Sequence, residues 1–333
     1  MYVSTTWKDL PDILKNANSN LKIKITDPEN VVLGNSGTPG TLGYLISNYT
    51  RYYLVDFTPS DFSTATYTAG NTYLFNSCRN LSGMCKLPSS ITNADGMFFG
   101  CTKLTSIDTS GFKNVTSANN MFANCIELTS IDTSGFTNVT NARSMFSGCS
   151  KLTSIDTTAF KNVTNAGDMF WGCTGLTNIN TSAFTKVTNA YNMFNSCTGL
   201  TSINTSAFTK VTSASYMFAN CTELTSIDTS AFTNVTDTEG MFFNCEGITN
   251  IDTSGFTNVT YAESMFSGCT NLTSITKSGF INVVAANKMF SGCTKLANID
   301  MSAFKNVKDS ENMFYGCDNI KSSLSFETLE KFF

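Results

Sequence analysis

From Met97 to Asn312 the chain repeats one 24-position pattern of apolar and polar residues, M-F-x-x-C-x-x-L-T-x-I-D-T-S-(G/A)-F-x-N-V-T-x-A-x-x. Copies begin at Met97, Met121, Met145, Met169, Met193, Met217, Met241, Met265 and Met289. A tenth begins at Met313 and decays. Two short apolar pairs recur in each copy, Leu and Ile around "LTSID" and Val and Ala around "VTNA". Turn formers, Asp-Thr-Ser-Gly or Asp-Thr-Ser-Ala, lie between them. The pattern predicts one coil per copy: a short strand at T-x-I-D, a tight turn, an extended or weakly helical stretch at V-T-x-A, and a turn through M-F-x-x-C. Coils stacked in register place like residues above one another at roughly 4.7–4.9 Å. Length alone suggests two or three domains for 333 residues, but a stacked-repeat core grows coil by coil.

Such stacking turns the apolar positions into ladders. One phenylalanine column runs from Phe98 through Phe122 and Phe146, another from Phe112 through Phe136 and Phe160. Together they take up nineteen of the 27 phenylalanines, which marks both as core. The residue before the second Phe is always Gly or Ala (Gly111, Gly135, Ala159, Ala183), as a close approach between neighbouring turns requires. Because Ala is accepted, a positive φ is not needed there.

One cysteine recurs per copy, Cys101 through Cys317. A ladder holds these side chains parallel, one coil apart and beyond the ~3.8 Å Cβ separation of a disulfide, so free buried thiols are expected. No C-x-x-C spacing suggests a metal site. Cys85 falls where later copies carry Asp and is expected to be exposed and reactive. The asparagine column (Asn114, Asn138, Asn162, Asn234, Asn258, Asn282, Asn306) reads as an amide ladder satisfying turn backbone groups in neighbouring coils, broken by Lys186 and Lys210.

Composition narrows the function. The chain is 41% hydrophobic and only 14% charged, with net charge −4 and no histidine. Three arginines (Arg51, Arg79, Arg143) and no basic patch argue against a nucleic-acid partner. The absence of histidine removes the Ser/His and Cys/His nucleophile pairs and the usual zinc sites. No apolar run approaches a membrane span. "MYVSTTWKDL" has neither the basic start nor the apolar stretch of a signal peptide, so any export signal is expected to lie outside this chain.

The segment "MFSGCSKLTSIDTTAF" resembles, almost letter for letter, the M-F-x-x-C-x-x-L-T-x-L-D variant of the BspA-like leucine-rich repeats of bacterial surface proteins. Ile here replaces Leu in the strand, and Ala replaces Met after "VT". The resemblance runs from about Leu74 to Ile320. It implies a right-handed leucine-rich-repeat solenoid, α/β to mainly β, with a parallel sheet on the concave face. It also implies a secreted or cell-surface protein that binds extracellular partners, and it carries over no catalytic residues. Residues 1–73 read as an α/β N-terminal capping domain of helix–strand units. The helices are expected near Trp7–Asn16 and Thr41–Tyr49, the strands at Leu21–Thr26 and Tyr53–Phe57. Residues 74–320 hold nine full copies with degenerate ends, and 321–333 read as a C-terminal cap.

Two sets of residues are candidates for binding. The first is the acidic column on the implied concave face: Asp108, Asp132, Asp156, Asp228, Asp252 and Asp300. An Asx turn onto the following backbone N–H explains it structurally. Ca²⁺ bridging is the sharper alternative, and a retaining-glycosidase pair is disfavoured because the aspartates recur on an open face. The second set is the variable aromatics. Phe99, Trp171, Phe243 and Tyr315 follow "MF" in every third coil, roughly 14–15 Å apart. Tyr191, Tyr216 and Tyr261 lie near the V-T-x-A stretch. Exposed aromatics on a rigid scaffold anchor protein or glycan partners, whereas a duplication history with partly buried rings explains the same spacing.

The expectation is a non-enzymatic adhesion module without cofactor, whose partner is an extracellular protein or glycan. A structural spacer without a specific ligand is the alternative, and lattice binding by the threonine columns is a third reading.

Overall fold

A computed structural model of the chain describes residues 2–50, 52–68 and 72–321. The region read as the C-terminal cap lies outside the described residues, apart from Lys321. The chain forms two compact units, Met1–Val163 and Thr164–Phe333.

In the first unit, β1 (Val3–Thr5), β2 (Leu21–Ile25), β3 (Val55–Asp56), β4 (Leu81–Met84) and β5 (Ser106–Ile107) form one parallel sheet in sequence order. Helices α1 (Leu10–Asn16) and α2 (Leu42–Tyr49) fall within the segments read as helical. Each presents an apolar face inward, Leu10 and Leu14 in α1 and Leu42, Leu45 and Ile46 in α2. Thr41 caps α2, its hydroxyl accepting from the Tyr44 N–H at 3.4 Å. Because β3 pairs with β4, the helix–strand segment and the first repeats share one sheet.

Cys85 corrects the sequence reading. Met84 pairs with Ile107, so Cys85 does stand in register with Asp108, but the preceding segment covers it: the Phe62 N–H donates to Lys86 O at 2.9 Å, and the Phe62 backbone lies against the Cys85 thiol. Met84 and Cys85 are both buried. Burial pushes the Cys85 thiol up to about 12, the state of an inert thiol rather than a reactive one.

Within each unit the coils stack as a parallel-sheet solenoid, as the sequence predicts, with the strand pairing at T-x-I-D interrupted in many coils. Among the described residues of the second unit a ladder of strands forms there only between β6 (Asn250–Thr253) and β7 (Ser274–Ser278). Earlier in that unit a long backbone bond per coil remains, Thr201 N to Thr177 O and Thr225 N to Thr201 O, both 3.3 Å. Side chains supply the missing bonds. The threonine after the Asp or Asn is buried, and its hydroxyl donates to the next coil: Thr229 to Asp252 O at 2.6 Å, with Thr181 and Thr205 bonded alike to Asn204 O and Asp228 O.

The main coil-to-coil ladder runs instead through V-T-x-A and the following turn, where single parallel bridges link Asn165, Asn189, Ser213, Asp237, Tyr261, Ala285 and Asp309. Inside lie the two phenylalanine columns. Rings in the first column stack at 5.4–5.8 Å in this unit, as in Phe218–Phe242 and Phe290–Phe314, and meet the second column edge to face, as in Phe242–Phe256.

Candidate interaction edge

The edge is made by A-x-x-M-F-x-x-C. Alternate N–H groups point to different partners, as the coil from Ala190 shows. Asn192, Phe194 and Ser196 donate to Ser215 O, Met217 O and Ala219 O of the next coil. Met193, Asn195 and Cys197 close tight turns onto Ala190 O, Asn192 O and Phe194 O. Every backbone donor in this stretch is used, so the edge is rigid. The alternation needs left-handed backbone at two points per coil, here Asn192 (φ 54°) and Ser196 (φ 60°). Gly and Asn recur at the second point (Gly172, Asn220, Asn244, Gly268, Gly292), a signal the sequence carried and sequence reasoning missed.

Behind the edge stands the cysteine column. Cys221, Cys245 and Cys269 donate their thiols to the carbonyls of Phe194, Phe218 and Phe242 in the preceding coil, at 3.0–3.2 Å. None of the twelve cysteines forms a disulfide, and all are buried. The asparagine column works the same way on another side: Asn234, Asn258, Asn282 and Asn306 donate to Thr209 O, Thr233 O, Thr257 O and Ile281 O at 2.7–2.8 Å.

The aspartates of the first candidate set form Asx turns. The N–H groups of Ser110, Ser134, Thr158, Ser230, Ser254 and Ser302 donate to Asp108, Asp132, Asp156, Asp228, Asp252 and Asp300, each at 2.9 Å. The N–H and hydroxyl of Thr158 hold the Asp156 carboxyl, and the hydroxyl and N–H of Ser302 hold that of Asp300, below the usual carboxylate range. Turn formation thus accounts for an Asp at this position in coil after coil.

The aromatic set divides by exposure. In the first unit Phe99 is half-buried, and its N–H donates to Gly96 O. In the second unit Trp171 is 44% exposed, Tyr261 55% and Tyr315 70%, while Phe243 is half-buried. Tyr315 lines a shallow cleft of about 380 Å³ with Lys288, Ser291 and Asn312. Tyr191 and Tyr216 meet edge to face at 6.3 Å. The Tyr216 hydroxyl donates to Glu239 at 2.6 Å, and burial together with that carboxylate raises its pKa. Its ring lies over Gly240, where a Cβ would come within 2.3 Å of it. Glu263, on the same edge, is raised by burial and by Glu239, Asp237 and Asp309.

Several solved bacterial structures are similar to the chain. A leucine-rich repeat protein from Eubacterium ventriosum shares 15% identity over 89% of this chain and 82% of its own, with a TM-score of 0.40. One from Bacteroides ovatus shares 19% over 77% and 82%, with a TM-score of 0.34. A leucine rich cell surface protein from Faecalibacterium prausnitzii shares 20% over 75% and 83%, with a TM-score of 0.32. No curated protein matches the sequence. Among the described residues no helix is long and apolar enough to cross a membrane. The family described as "Mycoplasma protein of unknown function, DUF285" matches at residues 73–184, 126–232, 153–253 and 212–327, which together span the repeats, and the chain belongs to that family.

Proposed function

We propose that the chain is a non-enzymatic interaction module, displayed on a bacterial surface or secreted, that adheres to an extracellular protein or glycan through the A-x-x-M-F-x edge. The observation that carries this reading is the exposure of Trp171, Tyr191, Tyr261 and Tyr315 on backbone whose donors are already bonded. Large aromatic side chains held out on rigid backbone lose little entropy on binding and bring much contact area. Nothing in the packing requires Trp171 to be aromatic, since Asn195, Ala219, Ser267 and Ser291 occupy the equivalent position.

The test is a binding screen of the purified chain against immobilised matrix proteins, mucins and polysaccharides, beside the double variant Trp171→Ala, Phe243→Ala. A ligand bound by the parent and lost by a folded variant supports the reading. No binding in the micromolar range favours a structural spacer.

A further inference from the structure

One surface on the second unit has a chemistry of its own. The side chains of Asp168, Asn192, Asn195, Asn220 and Asn244 are joined head to tail. Asn192 donates to Asp168 at 3.1 Å, Asn195 to Asn192 at 2.8 Å, Asn220 to Asn195 at 3.0 Å and Asn244 to Asn220 at 3.2 Å. The Ser196 hydroxyl also donates to Asn195, at 2.9 Å. A carboxylate at the head can only accept, so it sets the direction of every amide behind it. The row stops after Asn244, because the next coil has Gly268 at that position, against which the Asn244 carbonyl lies.

Backbone conformation explains four of these five residues. Asp168, Asn192, Asn220 and Asn244 sit at left-handed positions, which favour Asp and Asn. Asn195 does not: its position takes Trp, Ala, Phe, Ser and Tyr in other coils. Yet Asn195 is the connector, giving one bond to Asn192 and receiving one from Asn220. Each amide spends one N–H on its neighbour and keeps a second for solvent. All are half-buried and held in place. Trp171 flanks the row at its first coil and Phe243 three coils on, roughly 14–15 Å away.

We propose that this row, from Asp168 to Asn244 between Trp171 and Phe243, binds a neutral oligosaccharide lying across the coils. The inference rests on the interaction-module reading and gives it a ligand class. Sugar hydroxyls donate and accept alike, which matches the second amide N–H groups along the row and the remaining carbonyl lone pairs of Asn192 and Asn220, each of which accepts one bond, whereas Asn195 already accepts two. The apolar face of a pyranose ring stacks on an aromatic ring. Amides already fixed by one another lose little freedom when the ligand arrives. Apart from Asp168 the row is uncharged, which fits a neutral chain better than a cationic one.

The experiment is a titration of the full chain with a panel of neutral gluco-, manno-, galacto- and N-acetylglucosamine oligosaccharides, followed by tryptophan emission. Trp7 and Trp171 are the only tryptophans, so Trp171→Phe supplies the blank. At least one oligosaccharide shifts the Trp171 signal below the millimolar range, and Asn195→Ala weakens it tenfold or more without changing the melting temperature. The proposal is overturned if no oligosaccharide shifts Trp171 up to the millimolar range, or if Asn195→Ala binds as the parent does. A protein ligand that depends on Trp171, with no glycan bound, overturns it and leaves the module reading standing.

Discussion

The thiol of Cys245 donates to the backbone carbonyl of Phe218, 3.0 Å away in the preceding coil, and that carbonyl already accepts the N–H of Cys221. Cysteine therefore links coils as well as filling space. Sulfur is large enough to reach across the gap, and its weak donor suits a carbonyl that needs only a second bond. Cys245→Ala removes the bond and leaves a small void, at an expected cost of about 1–3 kcal/mol. Cys245→Val restores volume but places a methyl against the carbonyl, and it is expected to cost more than Ala. Chemical denaturation of the three proteins decides the matter: if Val is better tolerated than Ala, the thiol is only filler.

The same burial makes stability depend on alkaline pH. Desolvation pushes the thiols of Cys78, Cys85, Cys149, Cys221 and Cys269 up to about 12 from an ordinary 9.0. Raised groups favour the folded state fully below the unfolded value and lose that advantage as pH rises through the folded one. The melting temperature should thus be insensitive to these thiols below pH 9. Between 9 and 12 the unfolded chain sheds protons that the folded chain keeps, at about 1.4 kcal/mol per pH unit for each thiol. Replacing Cys221 and Cys269 by Ala should flatten the alkaline limb of a melting-temperature profile. An unchanged limb would assign it to other groups.

Gly255 is a position where side-chain size sets coil approach. A Cβ there would lie 2.0 Å from Thr229 O, yet the equivalent positions Ala183, Ala207 and Ala231 carry one. In the second unit the β6–β7 strands occur in the Gly255 and Gly279 coils, while the preceding alanine coils keep only the 3.3 Å bonds. Gly255→Ala should push the coils apart, destabilise the protein by about 1–3 kcal/mol and weaken hydrogen-exchange protection at Thr253 and Thr273. Protection equal to that of the parent would separate strand formation from this contact.

Much of this was legible in the sequence where one residue type recurs at a fixed spacing. The phenylalanine, cysteine and asparagine columns each follow from identity at a 24-residue interval, because stacking lets only like environments recur. What escaped was less uniform. The buried threonine of D-T-S reads as a turn residue, since nothing local reveals that Thr229 donates across coils to Asp252. The T-x-I-D strand was over-read because Thr and Ile favour extended backbone whether or not a neighbour lies close enough to pair. Cys85 escaped because alignment with Asp108 is correct yet gives no sign that the segment around Phe62 packs over this coil and not over later ones. The amide row was hidden because its members occupy three different repeat positions, and only the turn geometry brings Asn192, Asn195 and Asn220 together.

Glu263 provides the remaining prediction. Burial, then Glu239, Asp237 and Asp309, raise its pKa above the ordinary carboxylate value. A raised carboxyl favours folding below its unfolded pKa and opposes it as pH rises through the folded one. At neutral pH the ionised side chain therefore works against the fold, and Glu263→Gln should raise the melting temperature. The side chain is only partly buried, and solvent screens its repulsion, so the gain stays below about 1 kcal/mol. Below the ordinary glutamate range both proteins carry a neutral group there, and the difference should vanish. Added salt at neutral pH should narrow it, because screening weakens the repulsion from Glu239 and Asp237. Paired melts of parent and variant at acidic and neutral pH, with and without salt, read out all three effects. A gain that persists in acid would place its origin in packing rather than in charge.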